Sequence, residues 1–167
     1  METERLTVRP MAVTDEKAFI EGIADKALRI AYGFPAEVNE TVPPEIFRHF
    51  RGLPYAYAIA EKTAGKMTGF LLDVDPELPE ESAENLPEKG RTLAYAIFPP
   101  YQRRGYMTET LEAYIRYLFL HTDTAYIHCG HFSDNEPSSR LLRKLGFREY
   151  ARHTVRDRII IDEILFR

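Results

Sequence analysis

The stretch that most limits how this chain can fold is "TLAYAIFPPYQRRGYMTETL", residues 92–111. It opens on a largely apolar run, 92–98, of strand type, and Pro99 and Pro100 end it because neither can donate to a ladder. Met107, Leu111, Ile115 and Leu118 then recur at helical spacing and predict a helix over about 105–120. Helix starts favour acidic residues, since the backbone dipole leaves that end partly positive. Here Arg103 and Arg104 place more positive charge directly before it. The first four N–H groups of a helix lack internal partners, and such an end binds phosphate through hydrogen bonds and dipole together. Gly105 removes the Cβ that would keep a ligand from the backbone, and Gln102 and Thr108 add hydrogen-bonding side chains. The chemistry points to a diphosphate. Taken alone, the run reads equally well as a surface loop with arginines and a turn glycine. It is neither a Walker P-loop nor a Rossmann fingerprint, because GxxxxGK[ST] and GxGxxG are both absent from the sequence.

The rest of the chain alternates in the same way. "LTVRPM" (6–11) reads as a short strand stopped by Pro10, and Thr14 or Asp15 can cap a helix through Phe19, Ile20 and Ile23. Short helices are expected around 27–33 and 44–51, the second opened by Pro43-Pro44. "YAYAIAE" and "KMTGFLLDV" around "KTAGK" form a hairpin signature. Residues 75–90 carry three prolines and many carboxylates without periodicity and read as an exposed loop. "AYIHC" (125–129) is a strand, Asn135 to Ser138 a helix entrance, and Leu141, Leu142 and Leu145 its buried face, with Gly146 as the stop. "FREYARHTV" and "RIIIDEILF" close the chain as paired strands. The order β-α-α-β-β-β-α-β-α-β-β defines a mixed α/β (α+β) fold. No repeat or linker divides it, so one domain over 1–167 is expected.

Composition narrows the function classes. A formal net charge of −4 argues against general nucleic-acid binding, so any anion site is local. No apolar run approaches the roughly 20 residues of a membrane helix, and the first ten residues lack the apolar core of a signal peptide. No membrane association and a cytoplasmic location are therefore expected. The single cysteine, Cys129, permits no internal disulfide and argues against a cysteine-based zinc site.

A second segment, "SDNEPSSRLLRKLGF" (133–147), follows the next strand and opens the next helix. Together with "FPPYQRRGYMTETL" it resembles the signature segments of the GNAT superfamily of acyl-CoA-dependent N-acetyltransferases. The Q/R-x-x-G-x-G/A pattern of that family is matched by Gln102, Arg103, Arg104, Gly105, Tyr106 and Met107, with Met107 where a small residue is usual. "NEPSSRLLRKLGF", "TERLTVRPM" and "DEILFR" resemble the branch of the ribosomal-protein N-terminal acetyltransferases. The resemblance implies a GNAT-like fold, a twisted, mostly antiparallel mixed sheet with a splayed strand pair (92–98 and 125–129), flanked by helices. It implies that the amides of residues 103–108 cradle the pyrophosphate of acetyl-CoA and that the main chain of Ile97 and Phe98 pairs with its pantetheine arm. Asn135 would contact the same arm, and Ser138 would meet the departing thiolate. Helix capping is the alternative role for Asn135 and Ser138. No metal is implied.

The implied reaction is attack of a neutral primary amine on the acetyl carbonyl through a tetrahedral oxyanion, met by a backbone N–H near Ile97. Neutralising a lysine-like amine at pH 7 costs about 4–5 kcal/mol, and a protein N-terminal amine only about 1 kcal/mol. A weak base thus suffices for the second. The strand glutamate that some N-terminal acetyltransferases use falls at His128, whose ordinary pKa suits base work at neutral pH. A histidine hydrogen-bonded within the sheet is the alternative reading, and His131 and Asp73 are further candidates. The tyrosine some members use as acid falls at Leu142. The acceptor would be a protein N-terminus or a small amine, and a homodimer through the closing strands is common in the family. A catalytically silent acyl-CoA-binding sensor is the competing function.

Overall fold

In a computed structural model all residues 1–167 are described except the side chain of Glu80. The chain runs β1 (Leu6–Pro10), α1 (Glu16–Ile23), α2 (Lys26–Tyr32), α3 (Val42–Gly52), β2 (Ala56–Glu61), β3 (Met67–Val74), α4 (Glu80–Ala83) and β4 (Gly90–Ile97). It continues with α5 (Tyr106–His121), β5 (Tyr126–Phe132), α6 (Glu136–Lys144), β6 (Arg148–Val155) and β7 (Arg158–Phe166). The seven strands are hydrogen-bonded in the order β1-β2-β3-β4-β5-β7-β6. β1–β2, β2–β3, β5–β7 and β7–β6 are antiparallel and β4–β5 is parallel. This is the mixed α/β fold that the element order predicts, with the mostly antiparallel sheet flanked by helices that the resemblance implies. The expected strand pair at 92–98 and 125–129 is β4 and β5. Their ladder joins Gly90, Arg91 and Thr92 to Tyr126, Ile127 and His128.

The three helices expected between β1 and β2 are present, and Asp25 caps α2 through Leu28 N–H while the left-handed Gly33 (φ 90°) ends it before α3 begins. One stretch differs from the sequence reading. The acidic 75–90 stretch contains the one-turn α4. Of its five glutamates, Glu80 has a side chain that lies outside the described residues.

The chain forms two compact units, Met1–Leu72 with Tyr95–Leu111, and Asp73–Ala94 with Glu112–Arg167. The first is built on an aromatic core. Phe19 lies 5.4 Å from Phe47 and 5.6 Å from Phe70 between ring centroids, and Phe50 lies 5.3 Å from Phe70. Each such pair adds about 0.5–1.5 kcal/mol beyond simple burial. Phe98, buried in the same cluster, ties the end of β4 to it. Gly69 allows β3 to approach there, since a Cβ would stand 2.3 Å from the Ala96 carbonyl oxygen. The second unit buries Leu93, Leu118, Ile127, Leu142 and Phe147. Its β5 and β7 place polar side chains on both faces of the sheet.

Candidate active site

In the first unit, β4 ends where Phe98 N–H donates to the Thr68 carbonyl at 2.8 Å and the Phe98 carbonyl accepts from Tyr101 N–H at 2.9 Å. Both main-chain groups of Phe98 are thus engaged. Peptide groups alternate along a strand, so the N–H and C=O of Ile97 face away from β3. The Ile97 carbonyl accepts from Gln102 Nε2 at 2.9 Å, which holds the following loop against the strand end. That loop carries two left-handed residues, Arg103 (φ 59°) and Gly105 (φ 79°). Alternation of this kind turns successive N–H groups toward one side and makes an anion-binding concavity. α5 starts immediately after it.

Side chains fix this helix end. Tyr106 and Met107 are buried, so their contribution at the helix mouth is main chain. The Tyr106 hydroxyl donates to Glu61 at 2.5 Å. Glu109, in the first turn, accepts from Thr3 Oγ1 (2.5 Å), Arg5 N–H (2.8 Å) and Arg5 Nε (2.7 Å). Burial would raise its pKa, but these donors hold it below the ordinary glutamate value. Arg5 also donates to the Arg104 carbonyl at 2.9 Å, and Arg104 lies 3.6 Å from Glu61. Arg103 is exposed and makes no ion pair among the described residues. The excess positive charge predicted before the helix is therefore divided. Glu109 neutralises Arg5, Glu61 draws on Arg104, and Arg103 remains available.

In the second unit, Asn135 caps α6, its side-chain oxygen accepting from Ser138 N–H at 3.3 Å, while Pro137 occupies the first turn, where its missing N–H costs little. The capping role is visible for this pair. Both side chains are partly exposed.

His128, on β5, is 3% exposed. Its Nε2 lies 2.9 Å from Asp162 Oδ1, and its Nδ1 2.9 Å from Thr92 Oγ1, which also accepts from Glu77 N–H at 3.0 Å. Asp162 Oδ2 takes His153 Nδ1 at 2.8 Å. Burial would raise the Asp162 pKa, yet the hydrogen bonds from His128 and His153 hold it below the ordinary aspartate value. An ionised Asp162 accepts only, so the bonding pattern assigns the proton on His128 to Nε2 and leaves Nδ1 to accept from the Thr92 hydroxyl. His131 lies on the opposite face, with Nε2 3.0 Å from Glu163 Oε1 and Nδ1 2.9 Å from the Phe132 carbonyl. Asp73 is committed to Arg91 and to the Tyr114 hydroxyl, 2.7 Å from its Oδ2. Cys129 is buried, which pushes its thiol pKa up.

Sequence reasoning named His128 but missed Thr92, Asp162 and His153 around it, and Glu61 and Glu109 at the helix end. One signal was present. "RIIIDEILF" sets two carboxylates inside an apolar strand, and buried carboxylates require partners.

A strand end, a left-handed loop and a helix start of this kind, on a mostly antiparallel sheet, make an α/β protein with a backbone anion site. The profile of the GNAT acetyltransferase domain matches residues 5–148. The chain belongs to the GNAT acetyltransferases. A GNAT-family acetyltransferase from Bacillus anthracis superposes with a TM-score of 0.81 at 16% identity, covering 99% of this chain and 97% of that one. A GCN5-related N-acetyltransferase from Brucella melitensis gives 0.80 at 13% identity, covering 99% and 77%. The ribosomal-protein-S5-alanine acetyltransferase of Vibrio fischeri gives 0.73 at 16%, covering 99% and 95%. At these identities the likeness is one of fold. No protein with curated annotation matches the chain. No helix among the described residues is long and apolar enough to cross a membrane, and no cluster of metal-ligating side chains occurs among them.

Proposed function

We propose that residues 1–167 act as one N-acetyltransferase domain that moves the acetyl group of acetyl-CoA to a primary amine, a protein N-terminal α-amine or a small-molecule amine. The observation that carries this reading is the left-handed pair Arg103 (φ 59°) and Gly105 (φ 79°) at the start of α5. It is the kind of backbone cradle a pyrophosphate fits. The amides of Arg103, Arg104, Gly105, Tyr106, Met107 and Thr108 would hold the phosphates, with Gln102 bracing the loop through the Ile97 carbonyl and Arg103 supplying free charge. Pantetheine pairing is assigned to the main chain of Ile97 and Phe98, and oxyanion contact to the Ile97 N–H, which faces away from β3. Asn135 and Ser138 take the roles the family motif gives them, a pantetheine contact and a hydrogen bond to the leaving thiolate.

His128 is the proposed base. Its Nδ1 is the one ring nitrogen with a lone pair to protonate, and the Thr92 hydroxyl stands in front of it. A proton accepted there gives an imidazolium whose charge Asp162 balances at 2.9 Å. Direct attack by the amine is favoured over an acyl-cysteine route, since the only cysteine, Cys129, is buried with a raised pKa and thiolate is the nucleophilic form. A protein N-terminal amine, needing only about 1 kcal/mol to lose its proton at pH 7, suits a base so deeply held. A panel of amines and N-terminal peptides with acetyl-CoA, followed by free thiol, tests the proposal. Release accelerated by at least one acceptor supports it, and acetyl-CoA binding with no release from any acceptor leaves a sensor instead.

A further inference from the structure

Within the second unit a cavity of about 200 Å³ opens between α6, β6 and β7. Glu163 lines it, together with Ser139, Arg143, Phe147, Arg148 and Ile161. Glu163 is 3% exposed, and only one of its oxygens is satisfied. Oε1 is bonded to His131 Nε2 at 3.0 Å, whereas Oε2 has no hydrogen-bond partner among the described residues. A buried carboxylate oxygen without a donor is costly and seldom left so. The cations around it are not balanced in the same way. Arg152 is doubly bonded to Glu149, at 2.6 and 2.8 Å. Arg148 reaches only the Phe147 carbonyl, at 3.1 Å, and Arg143, in the last turn of α6, makes no ion pair among the described residues. The cavity thus joins one buried acceptor lacking a donor to two guanidinium groups that make no ion pair, although Glu149 on its wall, paired to Arg152, lies close enough to Arg143 to feel its charge, and Phe147 and Ile161 give an apolar wall.

We propose that this cavity binds a free α-amino acid as a zwitterion. The ammonium group donates to Glu163 Oε2, the carboxylate meets Arg143 and Arg148, and a modest apolar side chain lies on Phe147 and Ile161. Water at about 30 Å³ per molecule would need about seven copies to fill the space, while one suffices for Oε2. None of the residues lining it is among those assigned to acetyl transfer, and the proposal is for a binding site rather than the acceptor site.

Isothermal titration of the intact protein with each common L-α-amino acid, in the presence of CoA so that no turnover occurs, tests it. At least one amino acid should bind. Its affinity should fall at least about tenfold in Glu163→Gln and in Arg143→Ala, and in wild type when its amide or its N-acetyl derivative replaces it. Arg143 is exposed, so its variant keeps the fold even if the Glu163 change does not. Binding by no amino acid, leaving water as the occupant, overturns the proposal. So does binding untouched by Arg143→Ala, which belongs to another site, or equal affinity for the amide or the N-acetyl derivative. Thiol release from acetyl-CoA is read separately, so failure here leaves the acetyltransferase reading standing.

Discussion

Gly105 gives the sharpest test of the helix-end site. Its φ of 79° is one that residues with a side chain seldom adopt, and a Cβ there would lie 3.4 Å from Arg5 Nη2, the far end of a flexible side chain. Replacement by alanine should therefore cost about 1–2 kcal/mol of backbone strain with little clash. Against a typical total of about 5–15 kcal/mol, the variant still folds. Replacement by glutamate adds the same strain and a negative charge at the mouth of α5. A carboxylate about 6 Å from a phosphate charge, at an effective dielectric of about 20, raises the free energy of binding by about 3 kcal/mol. That is about a hundredfold in Kd. Calorimetric titration with acetyl-CoA measures it, and circular dichroism reports the fold and Tm. Gly105→Ala should lose far less affinity than Gly105→Glu at similar Tm. A folded Gly105→Glu protein that binds acetyl-CoA within about threefold of wild type refutes the reasoning.

Other perturbations address the parts around that site. His128→Gln should lower kcat by about 10²–10⁴-fold without changing the acetyl-CoA Kd, and unchanged kcat removes His128 as base. Asp162→Asn leaves His128 and His153 without their shared anion and should cost about 2–4 kcal/mol at neutral pH. The folded pKa of Asp162 is depressed, so its contribution is present above the unfolded carboxylate value and is lost as pH falls through the folded one. Wild-type and variant Tm should accordingly converge in acid, and a gap that widens there contradicts the assignment. Glu109→Ala frees Thr3 and Arg5 from α5 and should cost about 2 kcal/mol, or about 4–8 °C in Tm. An unchanged Tm would show that this tie contributes nothing.

Much of the fold was legible because periodicity and punctuation agreed. Proline pairs closed the strand at 92–98 and opened the helix at 44–51, and Asn135 to Ser138 marked a helix start that the structure builds as a cap. The one-turn α4 was not legible, since its four residues lie among prolines and carboxylates without helical periodicity and no side chain caps it. At the candidate site the backbone cradle could be read from Gly105, but the left-handed Arg103 could not, because no side-chain preference announces it. The partners of His128 were hidden for a topological reason. β5 and β7 pair antiparallel with Gly130 opposite Asp162, which sets His128 and Asp162 on one face although 34 residues separate them.

The most direct measurement is a crystal structure of the protein with bound CoA. The account predicts both pyrophosphate groups within hydrogen-bond distance of backbone amides between Arg103 and Thr108. Phosphates resting on side chains elsewhere, with those amides facing only solvent, would contradict it.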